Sequence, residues 1–277
     1  MSFDPKRPVS SIRDAARRRG IYLLPNLFTT AALFAGFYAV VAAMDGNFVQ
    51  AAIAIFVAMI LDGMDGRIAR LTSTESDFGM EYDSLSDMVS FGLAPALVVY
   101  QWGVARLQEY GWIWGKIGWL VAFLYAVAAA LRLARFNARI SVADKRFFEG
   151  LPSPSAAGVV SGLVWLGTEL GLTGLPALVL GFVVTAAAGT LMVSSFKYYS
   201  FKEWNLGGRI PFAYLLLVPL VFILIAANPP VVLFLLFASY ATTGPVLALL
   251  RLRRRSRRHS DSDQTGTGTG TGTGTEG

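Results

Sequence analysis

The chain has 277 residues, 54% of them hydrophobic and only 15% charged, with a net charge of +6. A soluble domain carries about 25% charge, so this composition excludes an ordinary soluble fold and points to a membrane protein. There is no cysteine and a single histidine, His259. Disulfides, thiolate nucleophiles, cysteine–zinc sites and imidazole bases within the membrane domain are therefore excluded, and any metal site must be built from oxygen ligands, which select hard cations.

Residues 1–21 are basic, with Lys6, Arg7, Arg13, Arg17, Arg18 and Arg19, and read as a cytoplasmic segment that lies as an amphipathic helix in the interface. Apolar stretches near the bilayer-crossing length then recur at 24–44, 47–68, 82–102, 113–136, 154–170, 174–194, 211–227 and 230–250. They predict an all-α bundle of about eight transmembrane helices over 22–250. The first is not a cleavable leader, because it is long and has no small-residue cleavage site. Basic residues cluster before the first span and after the second, fourth, sixth and eighth, the last cluster running from Arg251 to Arg258. That asymmetry predicts both termini on the cytoplasmic side. The basic run at 251–258 reads as a segment facing anionic lipid rather than nucleic acid. The Thr-Gly repeats that follow Ser260 have nothing apolar to bury and predict a disordered tail within 251–277.

Chemistry concentrates at the end of the second span and the start of the third. Asp62 and Asp65 are three residues apart and Asp83 and Asp87 four apart, so each pair lies on one face of a helix. Clustered carboxylates at a span end repel one another and are costly in a membrane. A bound divalent cation resolves both problems. Gly66, Ala69 and Arg70 continue the face of the first pair, and Gly79 lies one turn before Asp83. Small residues let a ligand approach the backbone, and Arg suits phosphate.

Written out, the segment is Asp62-x-x-Asp65-Gly66-x-x-Ala69-Arg70, eight residues, Gly79-x-x-x-Asp83-x-x-x-Asp87. This pattern resembles the signature of the CDP-alcohol phosphotransferases, integral-membrane enzymes of phospholipid synthesis, with every position filled. The resemblance implies that Asp62, Asp65, Asp83 and Asp87 hold Mg²⁺ or Mn²⁺, with Ca²⁺ a further hard cation, and that Asp87 is the general base. It implies that Gly66, Ala69, Arg70 and Gly79 contact the CDP group, and that Asn26 and Thr29, after Pro25, line the nucleotide site. For Asn26 an ordinary helix cap is the other reading.

Three more segments, RLARFN at 132–137, FEGLPSPSAA at 148–157 and MVSSFKYYSFK at 192–202, resemble the phosphatidylserine synthases of that class and their archaeal relatives. The substrates so implied are CDP-diacylglycerol and L-serine, with CMP released, in a homodimer embedded in membrane lipid. Serine needs a cation for its carboxylate. Arg132, Arg135, Asn137 and Lys197, at cytoplasmic helix ends, are the residues available, and anchoring at head groups is the alternative role for each. The Pro152–Pro154 pair predicts a helix entry. A glycerol 3-phosphate or inositol phosphate acceptor, and in a different class a cation transporter, are the competing functions.

Overall fold

The computed structural model describes residues 9–72, 76–105, 109, 111–139, 147–199 and 212–265. Among these the helices are α1 (Val9–Met44), α2 (Phe48–Thr72), α3 (Asp77–Asp87), α4 (Ala94–Trp102), α5 (Trp112–Arg139), α6 (Ser153–Glu169), α7 (Gly174–Val193), α8 (Phe212–Ala227) and α9 (Pro229–Thr265). The protein is an all-α, multi-pass membrane-type protein. Five stretches are long and apolar enough to cross a bilayer: Pro25–Met44, Phe48–Thr72, Trp112–Ala138, Gly174–Val193 and Pro229–Leu250.

The other three expected spans are also helical but differ from the expectation in detail. Residues 154–170 and 211–227 form α6 and α8, of 17 and 16 residues. Residues 82–102 fall on α3 and α4, joined without a break by a π-helical turn, Met88–Leu93. Two expected boundaries are crossed by continuous helix. Helix α1 passes residue 21 without interruption, and α9 continues from the last span to Thr265, where the sequence predicted a change at 250 and disorder after 260. Residues 1–8 and the Thr-Gly repeats at 266–277 lie outside the described residues.

Small residues set the packing. Helices α1 and α2 form an antiparallel hairpin through Gly46, whose φ of +78° suits glycine. Ala35, Ala39, Ala42 and Ala43 of α1 are buried, as are Ala51, Ala54 and Ala58 of α2. Such seams let backbones approach closely, which in lipid is what drives helix association. Elsewhere Gly158 and Gly162 of α6 receive Phe237 and Phe234 of α9, and Gly189 of α7 lies on Tyr125 of α5. Large apolar side chains such as Phe34, Phe37, Ile60, Phe123 and Phe222 point outward, as a lipid-facing surface requires.

Helix α3 begins where Ser76 caps it, its hydroxyl accepting from the Gly79 N–H at 3.1 Å, with Asp77 in the first turn complementing the helix dipole. Its inner face is pinned to α1 by two buried serines. Ser86 Oγ donates to Thr29 O at 3.1 Å and Ser90 Oγ to Ala32 O at 3.0 Å. Gly36 makes this approach possible: a Cβ there would stand 2.5 Å from Ser90 Oγ and 2.7 Å from Ser90 Cα. Because the obstacle includes backbone, Gly36→Ala is expected to destabilise the protein by about 1–3 kcal/mol. A lowered thermal midpoint in detergent, beside an unchanged midpoint for Gly63→Ala at an open position, is the check.

A short antiparallel ribbon, β1 (Phe147–Glu149) with β2 (Lys197–Tyr199), sits beside the bundle in the register Phe147–Tyr199, Phe148–Tyr198, Glu149–Lys197. Isolated two-stranded ribbons are marginal in water, and this one is tied on all sides. Arg135 donates to Glu149 O at 2.6 Å and also to Ser194 O and Val193 O. Gly150, with φ of +80°, donates to Phe196 O at 2.8 Å, and Leu151 donates to Leu191 O at 2.9 Å. Tyr198 is fully buried and donates to Ala241 O of α9 at 2.9 Å. The ribbon delivers the chain to α6, which opens after Pro152 with Pro154 in its first turn, the helix entry expected from the Pro pair.

Candidate metal and substrate site

The acids come from two helices. Asp62 and Asp65 stand on the last turns of α2, and Asp83 and Asp87 on α3. Asp62, Asp83 and Asp87, all half-buried, each present a carboxylate oxygen within 4.8 Å of the others. Asp62 and Asp87 are in side-chain contact, and the charges of Asp62, Asp83 and Asp65 all act on Asp87.

Three carboxylate oxygens this close are near enough to share one cation. Oxygens on opposite sides of Mg²⁺ are about 4.2 Å apart and those on Ca²⁺ about 5 Å. The donor set is oxygen only, and no thiol exists in the chain, so the site suits a hard divalent ion.

Asp65 is placed differently from its three partners. It is 5% exposed and stands outside the group of three. Its Oδ2 accepts from the Thr29 hydroxyl at 2.8 Å. Thr29 was expected at the nucleotide; it is 3% exposed, and its hydroxyl faces Asp65 and the Pro25 carbonyl. Asn26 lies opposite Gly79: a Cβ on that glycine would come 3.4 Å from Asn26 Oδ1. Gly66 is exposed, and a Cβ there would meet nothing described within 4 Å, while Arg70 is exposed and Ala69 half-buried one turn on. The face beside the acids is thus open and bounded by small residues and an arginine.

The four basic or amide residues expected near serine separate into different situations. Arg132 of α5 is 9% exposed; it donates to Ser153 Oγ at 3.1 Å, and Asp87 acts on its charge. Its Nε has no hydrogen-bond partner among the described residues. Arg135 is committed to the backbone carbonyls of the ribbon and the end of α7. Asn137 donates to Ser84 Oγ at 2.9 Å and so ties α5 to α3 between the two acids. Lys197 is exposed on β2 opposite Glu149.

Some residues around the acids were not singled out in the sequence: Ser153 under Arg132, Ser84 under Asn137, Ser86 of α3 and Ser90 of the π turn, which bond to α1 carbonyls, and Tyr240 of α9, whose hydroxyl interacts with the Arg132 charge. The serines did leave a signal. Ser84, Ser86 and Ser90 place small polar side chains within one turn of Asp87 on either side.

The described residues thus form an all-helical membrane-type bundle with an oxygen-only acidic cluster beside an open face of small residues. Comparison with known proteins is more specific. The family model for CDP-alcohol phosphatidyltransferase matches residues 22–193, more than half of the chain. This chain belongs to the CDP-alcohol phosphatidyltransferase family. It is 42% identical over 190 residues to a CDP-diacylglycerol–serine O-phosphatidyltransferase of Helicobacter pylori, covering 67% of this chain and 76% of that protein. A protein of the same name from Mycobacterium tuberculosis is 40% identical over 161 residues, covering 56% of this chain and 54% of the relative. An archaetidylserine synthase of Methanothermobacter thermautotrophicus is 32% identical over 177 residues, covering 63% of this chain and 69% of the relative.

Proposed function

We propose that this protein is a phosphatidylserine synthase: it transfers the phosphatidyl group of CDP-diacylglycerol to the hydroxyl of L-serine and releases CMP. The carrying observation is the juxtaposition of three clustered carboxylates with a buried arginine whose charge feels Asp87. The names of the relatives agree with this reading.

A divalent ion bound by Asp62, Asp83 and Asp87, Mg²⁺ or Mn²⁺, would neutralise charge on the pyrophosphate of the CDP-lipid. Gly66, Ala69 and Gly79 leave room for that group against the backbone of α2 and α3, and Arg70 offers a guanidinium to a phosphate. Asn26, facing Gly79, is placed to accept or donate at the nucleotide. Asp87, in side-chain contact with Asp62 and acting on the Arg132 charge, takes the proton of the attacking serine hydroxyl as the oxygen bonds to phosphorus and CMP leaves. Arg132 receives the serine carboxylate. Arg135 is the less suitable choice, since its guanidinium already holds three backbone oxygens. Asn137 and Lys197 support the same end of the site, Asn137 by positioning α3 and Lys197 from its exposed place on the ribbon.

A dianionic acceptor such as glycerol 3-phosphate calls for a denser basic cluster than Arg132 beside Asp87. The acids crowd the end of one span and the start of the next rather than a midplane, which disfavours a cation transporter. We place the acids and both termini on the cytoplasmic side, in a bundle of about eight spans across 22–250, flanked by basic segments at 1–21 and 251–277. The assembly proposed is a homodimer.

The direct test is transfer of radiolabelled serine to lipid by the purified protein with CDP-diacylglycerol, run beside glycerol 3-phosphate and an inositol phosphate. Serine-dependent product alone is expected; product only with a phosphorylated acceptor overturns the serine assignment. A second test concerns Arg132. A bidentate guanidinium–carboxylate pair is directional and Lys does not reproduce it, so Arg132→Lys is expected to raise the KM for serine about tenfold or more. The KM for CDP-diacylglycerol should hardly move.

A further inference from the structure

Asp65 and Asp87 belong to different helices, yet both are tied to one residue of a third. Thr29 of α1 offers its hydroxyl to Asp65 Oδ2 of α2 at 2.8 Å, and its carbonyl receives Ser86 Oγ of α3 at 3.1 Å. Ser86 immediately precedes Asp87 in the chain. One turn on, Ser90 repeats the link on Ala32 O, and the bare Cα of Gly36 lets the two backbones close against each other there.

These bonds are unusual for their residue type. A buried serine within a helix commonly returns its hydroxyl to its own i−4 carbonyl, as Ser84 does to Met80 O. Ser86 and Ser90 instead cross to α1. Both are buried, at 2% and 0% exposure, as are Thr29 and Asp65. The π-helical turn starts directly after Asp87 and includes Ser90. Ser86 and Ser90 are four apart and share the face toward α1, while Asp83 and Asp87, also four apart, share the face toward Asp62.

We infer that Thr29 is a positioning residue that locks the acid pair of α2 to the acid pair of α3, and thereby sets the spacing of the metal ligands. The inference rests on the metal reading of the acid cluster and adds to it a residue outside the group of three acids. Its hydroxyl fixes the Asp65 carboxylate, and its backbone carbonyl fixes the helix turn that carries Asp87. Asp65 itself stands outside the group of three, so the effect passes through the positions of α2 and α3; outer groups that orient a metal site typically govern affinity by 10–100-fold.

The test is calorimetric titration of Mn²⁺ into the purified full-length protein in detergent, with thermal midpoints recorded in parallel. Thr29→Val keeps the shape and removes the hydroxyl; it is expected to weaken Mn²⁺ binding about tenfold. Thr29→Ser restores the hydroxyl and is expected to bind as the wild type does. Equal Mn²⁺ affinity in wild type and Thr29→Val overturns the positioning role, as does a Thr29→Ser variant no better than Thr29→Val. If Thr29→Val does not fold, Ser86→Ala replaces it, since that change cuts the α3 side of the same link and leaves every acid intact. A several-fold loss of Mn²⁺ affinity then supports the role, and none overturns it. Failure of the underlying metal reading has a different signature: the wild type itself binds no Mn²⁺, and Asp62→Asn changes nothing. That result removes the positioning role with it.

Discussion

Asp87→Asn is expected to lower kcat by about 10²–10⁴-fold, the range a general base contributes. The substitution keeps size and hydrogen-bonding shape but removes the proton acceptor. Asp87 sits in side-chain contact with Asp62 and under the charges of Asp83 and Asp65, so losing its own charge also relieves repulsion in the cluster. Binding of the CDP-lipid should therefore survive better than turnover. Asp62→Asn should do the reverse, weakening metal and CDP binding, because Asp62 stands at the meeting point of the two helices. Measuring kcat by serine incorporation and affinity by equilibrium binding of a CDP-lipid separates these outcomes. Near-normal kcat in Asp87→Asn with lost metal affinity would transfer the role of base to another group.

Removal of divalent ions should abolish activity altogether. Three carboxylate oxygens within 4.8 Å of one another place concentrated negative charge where an anionic pyrophosphate must dock. Without a cation the acids would repel the substrate as well as each other. Exhaustive treatment with EDTA is expected to reduce serine transfer to background, and Mg²⁺ or Mn²⁺ added back should restore it. The absence of thiol and the lone histidine at position 259 leave no soft ligands for a preference for zinc. Full turnover after chelation would refute a metal role for the acids. The order of activation among Mg²⁺, Mn²⁺ and Ca²⁺ would then report how far apart the bound ligands settle, since the three ions differ in radius and rigidity.

Much of this site was legible in the sequence, because helical periodicity converts spacing into direction. Asp83 and Asp87 at i and i+4 had to share a face, and the small residues in register with Asp62 marked a face left open for a ligand. What periodicity does not reveal is contact between helices. Asp65 has the same spacing credentials as Asp62, yet its carboxylate is met by Thr29, 36 positions away. Arg135 and Arg132 looked alike as cations at a helix end. Only the position of the ribbon makes one a binder of backbone oxygens and leaves the other facing Asp87.

The spans show the same limit. Each of the eight expected stretches falls on helix among the described residues, but hydropathy treats 82–102 as one span. Nothing in residue propensity announces the π turn at Met88–Leu93. Likewise α9 runs on to Thr265, where composition alone predicted a change at the bilayer edge.

The division of labour along the chain has a consequence for how such an enzyme changes. The acids and the bonds that brace them lie on α1, α2 and α3, all before residue 88. The buried arginine and the serine beneath it lie on α5 and α6, at 132 and 153, joined through the ribbon. Under the roles proposed above, phosphorus chemistry and alcohol recognition fall in separate, consecutive stretches. Those roles predict that substitutions in the later stretch alter the choice of head group while leaving the ligand geometry of the earlier one in place, provided the Asn137–Ser84 bond that joins the two is kept.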